Sequence, residues 1–129
     1  MSHFSIINIK LKNANKNLLI EAVKELAKEL DAEIVNTIQD AYGRLRSDIL
    51  IGLRNRTFYR GVGIKVNEKG EVKLVGDFML VKGEDIERLK KKIVQYYTAT
   101  AIAHVARQMG MNVAGQRTKQ GIYLRCYAI

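Results

Sequence analysis

Apolar and polar residues alternate at the start of the chain. The two-residue period, with one irregularity, includes Phe4, Ile6, Ile7, Ile9 and Leu11. This period is typical of a half-buried strand. After a polar break at residues 13–17, apolar residues recur at spacings of three and four from Leu19 to Leu30. The change of period predicts a helix over about residues 16–30, capped by Asn15.

The middle of the chain predicts a series of strands. Residues 32–38 favour one strand, and residues 40–46 around Gly43 favour a loop. Alternation returns over residues 49–53 and continues from Phe58 to Val66, after a break at Asn55. The residues from Asn67 to Gly70 then predict a hairpin turn, with glycine where a positive φ is needed, before a returning strand that ends near Val75.

A long helix and a closing pair of strands are predicted for the rest of the chain. Residues 83–109 contain no breaker and have a continuous apolar stripe, and Gly110 follows in the position that commonly ends a helix. Such a helix is about 40 Å long. Residues 113–117 and 121–128 predict two strands around the turn at 118–121.

The predicted order is therefore β-α-β-β-β-β-α-β-β. It indicates an α+β fold in which two helices, one of them long, pack on an antiparallel sheet. A length of 129 residues predicts a single domain over residues 1–129 with a proper hydrophobic core. We expect five apolar positions to be buried in that core: Leu26, Ile51, Ile64, Ile93 and Ile102.

Positive charge is concentrated in two segments. Residues 44–60 contain five arginines and only one acid, Asp48, and residues 107–129 contain four basic residues and no acid. Each segment carries a net charge of +4, so together they supply 8 of the formal +9. Such segments attract phosphates or acidic proteins. The residues predicted to contact an anionic partner are Arg44, Arg46, Arg54, Arg56, Tyr59, Arg60, Arg107, Arg117, Lys119 and Arg125.

Two local patterns refine the expectation for residues 44–60. Arg54 and Arg56 are two residues apart, which on an extended chain places them on one face. Phe58 and Tyr59 lie among the arginines, and aromatic side chains can stack on exposed bases. Strand aromatics more often lie in a core, and the sequence contains no known nucleic-acid-binding signature.

Few residues suggest catalysis. His3, His104 and Cys126 lie on separate elements without the spacing of a metal site, so no metal ligands are predicted. We expect His104 to pack in the alanine-rich end of the long helix and Cys126 to be a buried thiol. The Gly61-x-Gly63 pair lacks the third glycine of a dinucleotide site and is better explained by close packing in a strand. The sequence therefore predicts no cofactor and no enzymatic activity.

Composition adds expectations about environment. No apolar run reaches the roughly 18 residues that span a bilayer, and the N-terminus does not resemble a signal peptide. With a single cysteine, these features predict a cytoplasmic protein without membrane partners. The absence of proline and tryptophan, together with abundant lysine, glutamate and isoleucine, is typical of thermophiles.

Several short motifs occur in a characteristic order. They are Met1-Ser2-His3-Phe4, Gly61-x-Gly63, Leu74-Val75-x-Asp77, Ile93-x-Gln95-x-Tyr97 and Gly110-Met111-x-Val113. In this order the chain resembles the hypothetical chloroplast reading frame thirty-five family, small uncharacterised proteins of plastids, cyanobacteria and other prokaryotes. The family's usual aromatic pair after the aspartate is replaced here by Phe78-Met79. The resemblance implies no activity, but it does imply work beside a protein partner such as an AAA-type ATPase.

These observations favour a small basic non-enzymatic binding or adaptor protein. A protein partner that contacts residues 44–60 and 107–129 is the leading hypothesis, and binding of RNA or single-stranded DNA is the alternative. An enzyme is the third hypothesis. The sequence leaves the oligomeric state open, including a homodimer.

Overall fold

The computed structural model describes residues 4–119 and 121–128. The two helices are α1 (Lys16–Glu29) and α2 (Gly83–Gln108). The strands are β1 (Ser5–Ile9), β2 (Glu33–Val35), β3 (Ile38–Gln39), β4 (Leu45–Arg46), β5 (Ile51–Arg54), β6 (Val62–Val66), β7 (Val72–Gly76), β8 (Met111–Thr118) and β9 (Gly121–Ala128). The predicted α+β class and the order of the main elements are confirmed. Within the predicted second strand and the loop after it, the two-residue strands β3 and β4 form a separate pair.

Five strands form the main sheet in the order β1-β7-β6-β5-β2, and all neighbours are antiparallel. Ile51 lies opposite Ile64, which in turn lies opposite Leu74, so a row of aliphatic side chains crosses three strands. These residues belong to a core that also includes the buried faces of α1 and α2. The predicted layer of two helices on an antiparallel sheet is therefore confirmed.

Helix α1 begins as its sequence predicts. The Asn15 side chain accepts a hydrogen bond from the backbone N–H of Leu18 (3.0 Å), which satisfies a donor that the helix itself cannot pair. The backbone N–H of Asn15 donates to the hydroxyl of Tyr97 (2.9 Å). Because Tyr97 lies on α2, the cap also joins the start of one helix to the middle of the other.

Two glycines allow the Ile49 side chain to pack closely on the main sheet. Gly52 and Gly63 lie opposite each other on β5 and β6, and the Ile49 side chain packs over both. A Cβ at residue 63 would lie 2.5 Å from Cγ2 of Ile49. The close backbone packing predicted for Gly61-x-Gly63 is confirmed at Gly63, where any larger residue would displace Ile49 from the sheet.

The predicted turn and helix end are also confirmed. In the turn between β6 and β7, the Asn67 side chain accepts hydrogen bonds from the N–H groups of Lys69 and Glu71, and Gly70 has a φ of 77°. Gly110 follows α2 with a φ of 79°. A left-handed glycine directly after the last turn is a common helix ending.

Strands β8 and β9 form a separate two-stranded sheet, which we call the ribbon. The ribbon packs on the second half of α2 rather than joining the main sheet. Leu89, Ile93 and Tyr96, in the first half of α2, contribute to the main core. Ala103 and Ala106 are buried farther along the helix. The two halves of α2 are therefore covered by different sheets.

Three burial predictions on α2 and the ribbon are wrong. Ile102 is 49% exposed, and His104 and Cys126 are exposed as well. The reason is that these residues lie where α2 is covered only by the narrow ribbon. The other predicted core residues, Leu26, Ile51, Ile64 and Ile93, are buried as expected.

Truncation to alanine distinguishes residues of the main core from the exposed residue Ile102 on α2. We expect Leu26→Ala and Ile64→Ala each to lower the free energy of unfolding by about 2–5 kcal/mol, because both side chains are fully enclosed. Ile102→Ala should change it by no more than about 0.5 kcal/mol, as is usual for exposed positions. Urea denaturation measures all three. A cost for Ile102→Ala as large as that for Ile64→Ala would contradict the exposure of this position.

Candidate functional site

The arginines of residues 44–60 are largely paired with carboxylates. Four of the five form ion pairs: Arg44 with Asp40, Arg46 with Asp48, Arg54 with Glu33, and Arg60 with Asp77. Only Asp48 belongs to the segment itself, so folding brings the other three acids from elsewhere in the chain. Much of the positive charge that the local sequence predicts is therefore compensated within the protein.

Arg56 is the arginine of this segment for which no ion pair is found among the described residues. It follows β5 in a bend, so the extended chain predicted for Arg54 and Arg56 is wrong. Both arginines nevertheless line one shallow pocket together with Tyr59. Asn55 causes the bend, because its side chain accepts from the N–H of Phe58 (2.9 Å) and donates to the carbonyl of Leu30 (3.2 Å). Phe58 is buried in the core, while Tyr59 is exposed and stacks against the Arg60 guanidinium.

Two buried aspartates hold the loops next to these arginines. The Asp40 carboxylate accepts hydrogen bonds from the N–H groups of Tyr42 (2.9 Å) and Arg44 (3.0 Å) and from Nε of Arg44 (2.5 Å). The Asp77 carboxylate accepts from the N–H groups of Ala41 (3.0 Å) and Met79 (3.2 Å), and it lies 3.2 Å from Nη1 of Arg60. Both carboxylates have several partners, which is typical of a structural role.

Ionisation of Asp40 and Asp48 is favoured in the folded protein. Burial alone would raise the pKa of Asp40, but hydrogen bonds from the backbone and side chain of Arg44 outweigh it and leave the pKa lowered. The pKa of Asp48 is lowered strongly, first by its hydrogen bond from Arg46 and then by the one from Lys65. Acid should therefore weaken these contacts.

The basic residues of 107–129 lie around the second half of α2 and the ribbon. No ion pair to Arg107, Arg117, Lys119 or Arg125 is found in the part of the chain that the structure describes. Nη1 of Arg117 donates to the hydroxyl of Tyr96 (3.4 Å), which itself donates to Glu29 (3.1 Å). Burial, followed by the contact with Glu29, raises the pKa of Tyr96 despite the opposing effect of Arg117. Arg117 thus anchors the ribbon, whereas Lys119 and Arg125 extend from it.

An open groove of about 780 Å³ separates α2 from β9. The groove is lined on the helix by residues that include Val94, Gln95, Thr98 and Ile102, and on the ribbon by residues that include Ile122, Leu124 and Cys126, while Gln116 and Tyr123 also border it. Oε1 of Gln95 is buried and accepts no hydrogen bond from any described residue. A buried acceptor without a donor is costly, so this atom favours an occupant that brings an N–H or O–H group.

The apolar lining of the groove continues along α2. Ile102, Val105 and Met109 are 49%, 52% and 68% exposed. At about 100° per residue they lie within an arc of about 60° on the helix surface. These three residues, which we call the apolar row, were not predicted as a surface. A helical period indicates that residues share a face but does not say whether anything covers that face.

The described residues include neither a metal centre nor a helix that could span a membrane. Within residues 4–119 and 121–128, no group of three or more His, Cys, Asp or Glu side chains is placed to hold a metal ion. His3 lies outside the described residues. No helix in the described part of the chain is both long enough and apolar enough to cross a membrane.

Comparison of the chain with protein-family models, with curated proteins and with solved structures finds no match. Membership of the hypothetical chloroplast reading frame thirty-five family therefore stays a prediction.

Acidification tests the role assigned to Asp40. A lowered pKa contributes stability that is complete above the ordinary value of 3.8 and is lost as the pH falls through the folded-state value. We expect Asp40→Asn to be less stable than wild type at neutral pH and the difference to narrow as the pH falls below the ordinary value of 3.8. Urea denaturation across this range measures it. A constant difference at all pH values would mean that the carboxylate charge does not stabilise the loop.

Proposed function

We propose that this protein is a small non-enzymatic binding or adaptor protein that holds a protein partner at the end formed by the second half of α2 and the ribbon. Residues 107–129 are better suited to this contact than residues 44–60. The arginines of 44–60 are mostly paired internally. Arg107, which lies on the same part of α2 as the exposed apolar side chains, and Arg125 are exposed and form no ion pair among the described residues.

The observation that carries this proposal is the apolar row. Ile102, Val105 and Met109 have the i, i+3, i+7 spacing by which a helix presents anchor residues to another protein. Contiguous exposed apolar side chains on a soluble protein commonly mark an interaction site. Because the row continues the lining of the groove, a partner segment could contact both in one extended interface.

The groove provides a polar recognition point within the apolar surface. Gln95 lies beside Gly121, with its buried Oε1 still lacking a donor. Rotation of the Gln95 amide toward the groove would let a peptide backbone or an amide side chain supply that donor. A segment with apolar side chains and at least one inward N–H group therefore fits this site better than a purely aliphatic surface does.

Charge indicates what should surround the apolar contacts. Arg107, Lys119 and Arg125 lie at this end of the molecule, and residues 107–129 include no acid. A partner with carboxylates around its apolar segment would be attracted, and the charges would mainly speed association. A second copy would bring like charges together, so the site favours a different, acidic protein over a homodimer. An AAA-type ATPase as that partner, and a cytoplasmic location, remain predictions.

Variants of the apolar row test this proposal. We propose to immobilise the wild type and an Ile102→Ser/Val105→Ser variant, expose both to an extract of the native organism, and identify proteins held only by the wild type. The identified protein is then purified and its dissociation constant measured for both forms. We expect the double variant to bind at least about tenfold more weakly, because exposed anchors at the centre of an interface contribute most of its affinity.

Ile6 provides the matched control. It is a large aliphatic residue with 59% exposure on β1, away from α2 and the ribbon. Ile6→Ser should therefore bind the purified partner as tightly as the wild type. Equal binding by the Ile102→Ser/Val105→Ser variant, with folding confirmed by circular dichroism, would rule out the apolar row as the contact surface.

A further inference from the structure

We propose that the face of the ribbon opposite the one that carries Arg117 and Ile122 binds single-stranded nucleic acid by stacking unpaired bases on Tyr123 and Tyr127. This outer face consists of Asn112, Ala114 and Gln116 of β8 and of Tyr123, Arg125 and Tyr127 of β9. The alternation of side chains along a strand separates it from the neighbouring positions, among which Arg117 and Ile122 contact the main body of the protein. The inference goes beyond the proposed protein partner because it depends on Tyr123 and Tyr127 rather than on the apolar row, although Gln116 and Tyr123 also border the groove.

The strand register builds a repeated unit on the outer face. Tyr123 lies opposite Gln116, and Tyr127 lies opposite Asn112, so each aromatic ring has an amide side chain directly across the ribbon. Directly opposed side chains in an antiparallel pair are about 5 Å apart. A base stacked on either ring would therefore have a nearby amide able to donate to or accept from its edge, as in the recognition of unstacked bases by proteins.

Arg125 lies between the two units. It faces Ala114 across the ribbon, where the small side chain leaves the guanidinium unobstructed. Its Cζ lies over the Tyr127 ring, 5.2 Å from the ring centre, so a base here stacks on the other face of that ring or on the guanidinium plane. Tyr, Arg and Tyr thus alternate along one face, combining two rings for bases with a cation for the phosphate that links their nucleotides.

Charge around the ribbon favours an anion. Lys119 lies at the tip and Arg107 at the end of α2. The carboxylates of Glu21, Glu25 and Glu29 on α1 lie on the side of the ribbon with Arg107, Arg117 and Lys119, whereas Arg125 lies on the outer face. No ion pair neutralises Arg125 or Lys119 within the described residues. A polyanion would release counterions on binding here, which contributes affinity without depending on sequence.

The spacing of the tyrosines selects a single strand. Tyr127 follows Tyr123 by four positions, so their Cα atoms are about 14 Å apart along the strand. Successive nucleotides in one strand of a duplex are only about 3.4 Å apart, and their bases are already stacked on each other. Two rings at this distance can therefore stack only on bases that have been separated, as in an extended single strand.

The composition of the outer face favours nucleic acid over a second protein site. It contains no isoleucine, leucine, valine, methionine or phenylalanine, whereas the groove on the other side of the ribbon is lined by several aliphatic residues. Protein interfaces also use tyrosine and arginine, but their buried core is more apolar, and this face offers no aliphatic side chain to such a core. The two sides of the ribbon are thus suited to different partners.

Fluorescence anisotropy with short oligonucleotides tests the inference. The probes are a 12-nucleotide oligouridine RNA, a 12-nucleotide oligothymidine DNA, and a 12-base-pair DNA duplex. We expect the wild type to bind at least one single strand more tightly than the duplex. Tyr123→Ala/Tyr127→Ala should lose at least about tenfold in affinity, since removal of one stacked ring commonly costs about 5-fold or more. The Tyr123→Phe/Tyr127→Phe variant retains the rings and should bind nearly as the wild type does.

Two further variants serve as controls. One tests the contribution of the Arg125 charge, and the other tests whether loss of any two exposed tyrosines weakens binding. Arg125→Ala should reduce the slope of log affinity against log salt by about one. Tyr42 and Tyr59, with 68% and 45% exposure, match Tyr123 and Tyr127, with 65% and 42%, but lie elsewhere in the chain. The Tyr42→Ala/Tyr59→Ala variant should therefore bind both single strands like the wild type.

Several outcomes would overturn the inference: no binding of either single strand at 100 μM wild-type protein, equal binding of the duplex, or equal losses in the two tyrosine-to-alanine variants. Loss of the purified protein partner, instead of the oligonucleotide, in Tyr123→Ala/Tyr127→Ala would show that the outer face belongs to a protein interface. Ile102→Ser/Val105→Ser should keep full oligonucleotide affinity. Failure of the protein-partner proposal and failure of this one therefore give different results.

Discussion

The length of α2 is the constraint on which the rest of the structure depends. A helix of 26 residues is about 39 Å long. Five strands at their usual spacing place the outer strand axes only about 19 Å apart, and a five-residue strand is only about 17 Å long. In either direction the helix extends beyond the main sheet. Its second half therefore needs its own cover, which the chain supplies by folding β8 and β9 back onto it.

The ribbon is a partial cover, and its limits determine where the interaction surfaces lie. A two-stranded ribbon is only marginally stable alone, so it depends on packing against α2 and on the contact from Arg117 through Tyr96 to Glu29. It is too narrow to enclose the helix. Ala103 and Ala106 are buried, while the side chains of the apolar row remain accessible. The same geometry leaves Tyr123 and Tyr127 exposed on the outer face of the ribbon.

Most elements of the fold could be predicted from the sequence because their signals are local. Period, turn residues and the positions of Asn15, Gly70 and Gly110 determine where elements begin and end. Which side chains of an element are buried depends on residues that are distant in the sequence. This could not be predicted from the local signals. Ile93 and Ile102 have the same apolar character and lie on the same helix, yet one is buried and the other half exposed. The burial predicted for Cys126 is wrong, because its apolar neighbours along the strand do not surround it in space.

For the candidate site, the local sequence likewise could not predict which basic residues form ion pairs. A local count makes residues 44–60 and 107–129 equally basic. Folding brings Glu33, Asp40 and Asp77 to the arginines of the first segment, while the second is found without an ion pair in the described residues. The tyrosines of β9 did carry a local signal, since Tyr123, Arg125 and Tyr127 alternate with more apolar residues. That pattern gains meaning only with the register, which places Gln116 and Asn112 opposite the two rings, on the face of the ribbon that does not carry Arg117 and Ile122.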